Sequence, residues 1–75
     1  MVKAIILVKS PKKLIAARLL KINLVYESFP VSGQFDAVAL VNVKNLAEIK
    51  KVTVNIQHIP GVDRTETMVE IEEKV

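Results

Sequence analysis

The chain has 75 residues, no cysteine and a single histidine, His58. A domain of this size buries only about 60% of its unfolded surface and usually needs a disulfide, a metal or self-association to be stable. The missing cysteine rules out disulfides and thiolate metal sites, and one histidine argues against structural zinc. No cofactor is expected. Self-association remains, and the apolar content of 51%, high for so small an interior, points to it.

No unbroken apolar run exceeds the five residues at 4–8, far below the roughly 20 that a membrane helix needs and too short for a signal peptide. No membrane association is expected, and the expected compartment is the cytoplasm. The net charge is +3: residues 1–37 hold six basic and two acidic residues, residues 38–75 five and six. That mild asymmetry permits nucleic-acid contact without requiring it.

In chain order the pattern reads strand, helix, strand, strand, helix, strand. Residues 2–9 are rich in β-branched side chains and apolar on both faces, which predicts a central strand. Ser10-Pro11 reads as an N-cap with proline at the first helical position, opening a helix to about Lys21. Ile15, Leu19 and Ile22 form its apolar stripe, with Ala16 and Leu20 beside them; Lys12, Lys13, Arg18 and Lys21 face water. A strand follows at 25–32, placed at a sheet edge by Pro30, which lacks a ladder donor. Its apolar face, Val25, Phe29 and Val31, is interrupted by Glu27.

Gly33-Gln34 suits a two-residue type II′ hairpin, glycine taking the positive φ. Residues 35–43 form a strand again apolar on both faces, hence central. Asn45, with Glu48 three positions on, caps a second helix whose stripe is Leu46, Ile49, Val52, Ile56 and Ile59. Its 3–4 spacing outweighs the strand propensity of Val52-Thr53-Val54, and Pro60-Gly61 ends it. In the last strand, 62–72, Thr65, Thr67, Val69 and Ile71 share one face. Arg64, Glu66, Met68, Glu70 and Glu72 share the other, a wet one.

Two doubly apolar strands and two alternating ones predict an α+β, ferredoxin-like βαββαβ fold of strand order 4-1-3-2. Both helices then cover the same face of the antiparallel sheet. The opposite face is apolar along the central strands and uncovered, so a sheet-to-sheet dimer is expected.

Chemistry-bearing residues are few. His58, on the last turn of the second helix, reads as an exposed histidine near the negative helix end. The lysines at 12, 13, 21, 50 and 51 read as a solvated face, and Tyr26, Phe29 and Phe35 lack the paired stacking pattern of an RNA-binding sheet. The hairpin is more informative. Gly33 exposes backbone N–H groups suited to a carboxylate, Asp36 accepts from an ammonium, and Thr65 and Thr67 offer hydroxyls on one strand face. Together they suit an amino-acid zwitterion, although each is also ordinary turn or strand chemistry. No phosphate loop, zinc signature or carboxylate pair is present, so no enzymatic role is expected and there are no candidate catalytic or metal residues.

At these positions the sequence resembles the Lrp/AsnC (feast/famine) regulators. Gly33-Gln34-Phe35-Asp36 is similar to their Gly-Asp-Tyr-Asp turn, and Pro60-Gly61-Val62 with Thr65-Glu66-Thr67 to their Pro-Gly-Val…Thr-x-Thr segment. The resemblance runs from Met1 to about Glu72 and covers only the C-terminal effector-binding half, the RAM domain. It implies a single RAM domain at residues 1–75 without a DNA-binding domain. It implies dimers that assemble into an octamer or similar ring, amino-acid effectors in clefts between dimers, and hetero-assembly with full-length regulators rather than direct DNA binding. Carried over by position, Gly33, Gln34, Phe35, Asp36, Thr65 and Thr67 would line the cleft. Gln34 departs from the family, which often has an acid there, and this weakens the pull on a ligand ammonium.

Function thus has several expectations. The first is an effector-binding module modulating transcription through ligand-dependent assembly. The others are a purely structural oligomerisation partner, a small enzyme of the dimeric α/β-barrel type, and a salt-sensitive nucleic-acid binder.

Overall fold

A computed structural model describes residues 1–72; residues 73–75 of the expected domain lie outside the described residues. The elements are β1 (Val2–Lys9), α1 (Ile15–Leu20), β2 (Val25–Pro30), β3 (Ala37–Val43), α2 (Leu46–Gln57) and β4 (Arg64–Val69). They form one antiparallel sheet ordered β2-β3-β1-β4, the expected topology read from the other edge. The two strands with apolar residues on both faces are indeed central, and the strand carrying Pro30 is at an edge.

Alternation along the strands sorts residues between two environments. Ala4, Ile6 and Val8 of β1 and Ala37, Ala39, Val41 and Val43 of β3 are buried beneath the helices. Ile15 and Leu19 of α1 and Ile49, Val52 and Ile56 of α2 complete that core. Each buried Ile, Leu or Val among them contributes about 1.5–3 kcal/mol by leaving water, and each alanine less. The 3–4 spacing at 49, 52 and 56 therefore overrides the strand propensity of that stretch. Leu46, at the end of the same stripe, stays exposed.

The α2 cap is close to the expected one. Asn45 Oδ1 accepts from the Glu48 N–H at 3.1 Å. The Glu48 carboxylate reaches one residue further back than in the usual box and accepts from Lys44 N–H at 2.7 Å.

Three local expectations are corrected. First, α1 is six residues long and starts at Ile15, not at Pro11. Leu14 precedes it in the left-handed region, φ 61°, with no side-chain cap, because Ser10 bonds elsewhere. Leu20 is half exposed rather than packed with the stripe.

Second, the hairpin is not a two-residue II′ turn. The chain closes through the Val31 N–H to Asp36 C=O bond at 3.0 Å, with residues 32–35 outside it, and Gly33 sits at φ +116°. Pro30 opposite Ala37 is the last ladder pair.

Third, the pairing of β2 with β3 shifts between Val25 and Glu27. Val25 opposes Val41, a core position, whereas Glu27 and Phe29 oppose Leu40 and Val38 on the opposite face. The bulge explains why Glu27 interrupted an apparent apolar face: Val25 and Phe29 do not share one.

Leu14 is 80% exposed, so its strained backbone is not offset by packing. A non-glycine residue in that region costs on the order of 1 kcal/mol or more. Leu14→Gly should raise stability by about 0.5–1 kcal/mol in urea unfolding, although glycine normally destabilises.

Candidate functional site

The six residues expected to bind a ligand fall into two groups. Gly33 and Gln34 are exposed in the loop between β2 and β3. A Cβ added at Gly33 would meet nothing within 4 Å, so the loop faces open space. Phe35 and Asp36 are half-buried at its base. The Arg64 guanidinium lies over the Phe35 ring, 5.1 Å from its centroid, and fixes the loop against the start of β4.

Thr65 and Thr67 share a face, as alternation predicts, but it is the helix-covered face: they oppose Val8 and Ile6. Their hydroxyls meet α2. Gln57 Nε2 donates to Thr65 Oγ1 at 3.1 Å, and Thr53 Oγ1 lies 3.4 Å from Thr67 Oγ1. Thr65 lies level with Ala37, just past the hairpin, with β1 between them. No hydrogen bond among the described residues joins the threonines to the loop.

The group that organises this end of the sheet is Ser10, only 2% exposed. Its N–H donates to Asp36 Oδ2 at 2.8 Å, its hydroxyl donates to Gly61 C=O at 2.7 Å, and it accepts from Lys12 N–H at 3.2 Å. One residue thereby ties the β1–α1 loop to the base of the hairpin and to the α2–β4 turn. Asp36 N–H donates to Val8 C=O and Asp63 N–H to Lys9 C=O, so both neighbouring segments hang on the end of β1. Gly61, at φ +95°, is crowded: a Cβ there would lie 2.9 Å from Lys12 Cγ. Asp36 therefore spends one carboxylate oxygen on the fold.

Sequence reasoning missed two residues here. Ser10-Pro11 carries a strong cap signal, and nothing local shows that a distant carbonyl takes the hydroxyl. Arg64 was placed on a wet face, and only the tertiary structure brings it over Phe35.

The opposite face of the sheet carries a shallow groove of about 440 Å³, lined by Ile5, Tyr26, Leu40 and Met68, with Lys3 and Glu70 at its rim. Ile5, Tyr26, Phe29 and Met68 are 38–58% exposed there. Among the described residues no group of acidic, histidine or cysteine side chains is arranged to hold a metal. No helix of the described residues is long and apolar enough to cross a membrane.

Residues 3–75 match the family model of the Lrp/AsnC ligand-binding domain. The chain belongs to that family. The Lrp/AsnC ligand-binding domain is a regulatory, ligand-binding fold rather than an enzyme class. A protein of Thermus thermophilus, TTHA0845, is 29% identical with a TM-score of 0.88, covering 100% of this chain and 99% of that one. A hypothetical protein of Pyrococcus horikoshii, PHS023, is 28% identical with a TM-score of 0.80, over 97% and 93%. The feast or famine regulatory protein of M. tuberculosis, solved in complex with L-methionine, shares the fold at 21% identity and a TM-score of 0.80. That match covers 97% of this chain but 52% of the regulator. No curated protein matches the chain significantly.

Ser10→Ala should cost about 1–2 kcal/mol, since it removes a buried hydroxyl from two partners. Ser32→Ala, in the exposed loop, should stay within about 0.5 kcal/mol. Parallel urea titrations of the two variants compare them.

Proposed function

We propose that the protein is an effector-binding module of the Lrp/AsnC type, working in the cytoplasm as an oligomer that takes up an amino acid. The observation that carries the reading is the match of residues 3–75 to a domain defined by ligand binding. The hairpin supports it: Gly33 and Gln34 face open space while Asp36 and Phe35 are anchored. Residues 33–36 are the proposed ligand contacts, with Thr65 and Thr67 contributing where α2 leaves their hydroxyls accessible. L-methionine, held by the M. tuberculosis relative, is a natural first probe.

Assembly follows from the uncovered sheet face. Ile5, Leu7, Val38 and Leu40 form an apolar strip along the central strands, flanked by Phe29 and Met68. A second copy, related by a two-fold axis, would remove this strip from water. Dimers joined into a ring of octameric or similar size would bring hairpins together and let ligand shift the population of assemblies by mass action. The chain is proposed to act as one RAM domain without direct DNA binding. Hetero-assembly with full-length Lrp/AsnC regulators would pass the ligand state to transcription.

One observation favours a second reading, a purely structural oligomerisation partner. Both threonine hydroxyls are already engaged by α2 side chains. A barrel-type enzyme has less support, because Ile5, Leu7, Val38 and Leu40 leave the centre of the open face without a polar group.

Two measurements test the reading. Each of the twenty amino acids at millimolar concentration is screened by thermal shift, where 100-fold excess over Kd adds about 2.7 kcal/mol. At least one should stabilise the chain, and Gln34→Ala should lose much of that shift. Gln34 is the cleaner probe, because Asp36→Ala would also break the bond to Ser10. Silence with all twenty moves the reading to the structural partner. In sedimentation, Ile5→Asp should dissociate the assembly, since a carboxylate would be desolvated at the centre of the interface; an unchanged mass sinks the proposed interface.

A further inference from the structure

We infer that Lys9 and Arg64 form the anion-binding end of the ligand site, where they receive the carboxylate of the amino acid. This rests on the reading of the chain as an amino-acid binder. Lys9 and Arg64 are direct cross-strand partners at the end of the β1–β4 ladder, so two positive side chains stand side by side on the helix-free face, opposite to that of Thr65 and Thr67 and at the hairpin end of the apolar strip. Like charges directly opposite destabilise a sheet. Among the described residues neither side chain enters a hydrogen bond that would offset this. An anion placed between them removes the repulsion and gains two charge-assisted contacts.

Their position points to the hairpin. The Arg64 guanidinium is held over the ring of Phe35, which leaves its planar fork at the base of the loop. The main chain beneath both cations is fixed, because Lys9 C=O accepts from Asp63 N–H at 2.8 Å. The adjoining Val8 C=O accepts from Asp36 N–H at 2.9 Å. Asp36 supplies negative charge at the same end of the sheet, with Oδ2 taken by Ser10 N–H. Two cations on the β1–β4 side and one carboxylate on the hairpin side supply the two signs of charge that a zwitterion needs.

The test uses the 75-residue chain and its Lys9→Gln, Arg64→Gln and Arg64→Lys variants. The probes are L-methionine and the other nineteen amino acids, the amine and the carboxylic acid that match methionine, and inorganic phosphate. Binding is read by calorimetry, and assembly by sedimentation. The expected result is an amino-acid affinity at least about tenfold weaker in each Gln variant. Arg64→Lys should lose less, and affinity for the carboxylate-free amine should not change. Without ligand, Lys9→Gln should keep or raise the unfolding midpoint and leave the assembly intact.

An amino acid that binds wild type and Gln variants equally overturns the inference while the effector reading stands. If no amino acid binds, but phosphate or the carboxylic acid does and is lost in the Gln variants, the anion site stands and the amino-acid reading falls. No binding of any probe overturns both. Dissociation of the unliganded assembly in the Gln variants assigns the pair to the subunit interface and overturns the inference.

Discussion

The constraint on which the rest depends is that one four-stranded sheet has two apolar faces and two helices to cover them. Right-handed crossovers put both helices on the same side. Ala4, Ile6, Val8 and the odd-numbered residues 37–43 of β3 are thereby buried within the chain. Ile5 and Leu40 are left on the other side with only each other and their flanking neighbours. With no cysteine to form a disulfide, so small a domain would gain stability from that second face in the proposed dimer. In the proposed assembly, fold and self-association would be two halves of one solution, and a ligand that acts on assembly would act on stability as well.

Regular elements were legible in the sequence because their periodicity is set by burial. Doubly apolar strands could only be central, and the stripe at Ile49, Val52 and Ile56 could only be helical. What escaped was set by distant partners. The hydroxyl of Ser10 was as ready to cap a helix as to reach Gly61, and the choice is made 51 residues away in sequence. The bulge near Glu27 shifts side chains between faces, and a period-two reading has no means of detecting an inserted residue.

The candidate site was legible as chemistry but not as geometry. A glycine-containing turn followed by an acid was evident, and its likeness to a family turn led to the family that the whole chain matches. That Thr65 and Thr67 share a face followed from alternation. Which face it is did not, because β4 carries apolar and polar residues on both sides: Val69 with the threonines, Met68 with Arg64 and Glu66. The structure places the threonines under α2 and brings Arg64 to the hairpin, a pairing between residues 29 positions apart.

The irregularity in β2 reaches beyond its own register. β2 is an outer strand, and an outer strand with a straight, unpaired backbone invites further strands to add to it. The bulge bends and twists that edge, and Pro30 withholds an N–H from its end. At the other edge, β4 carries the charges of Arg64 and Glu66. The sheet is thus blunted laterally, and its uncovered apolar strip lies on the open face. In the proposed assembly, these blunted edges would steer the chain toward closed, countable assemblies and away from fibrils.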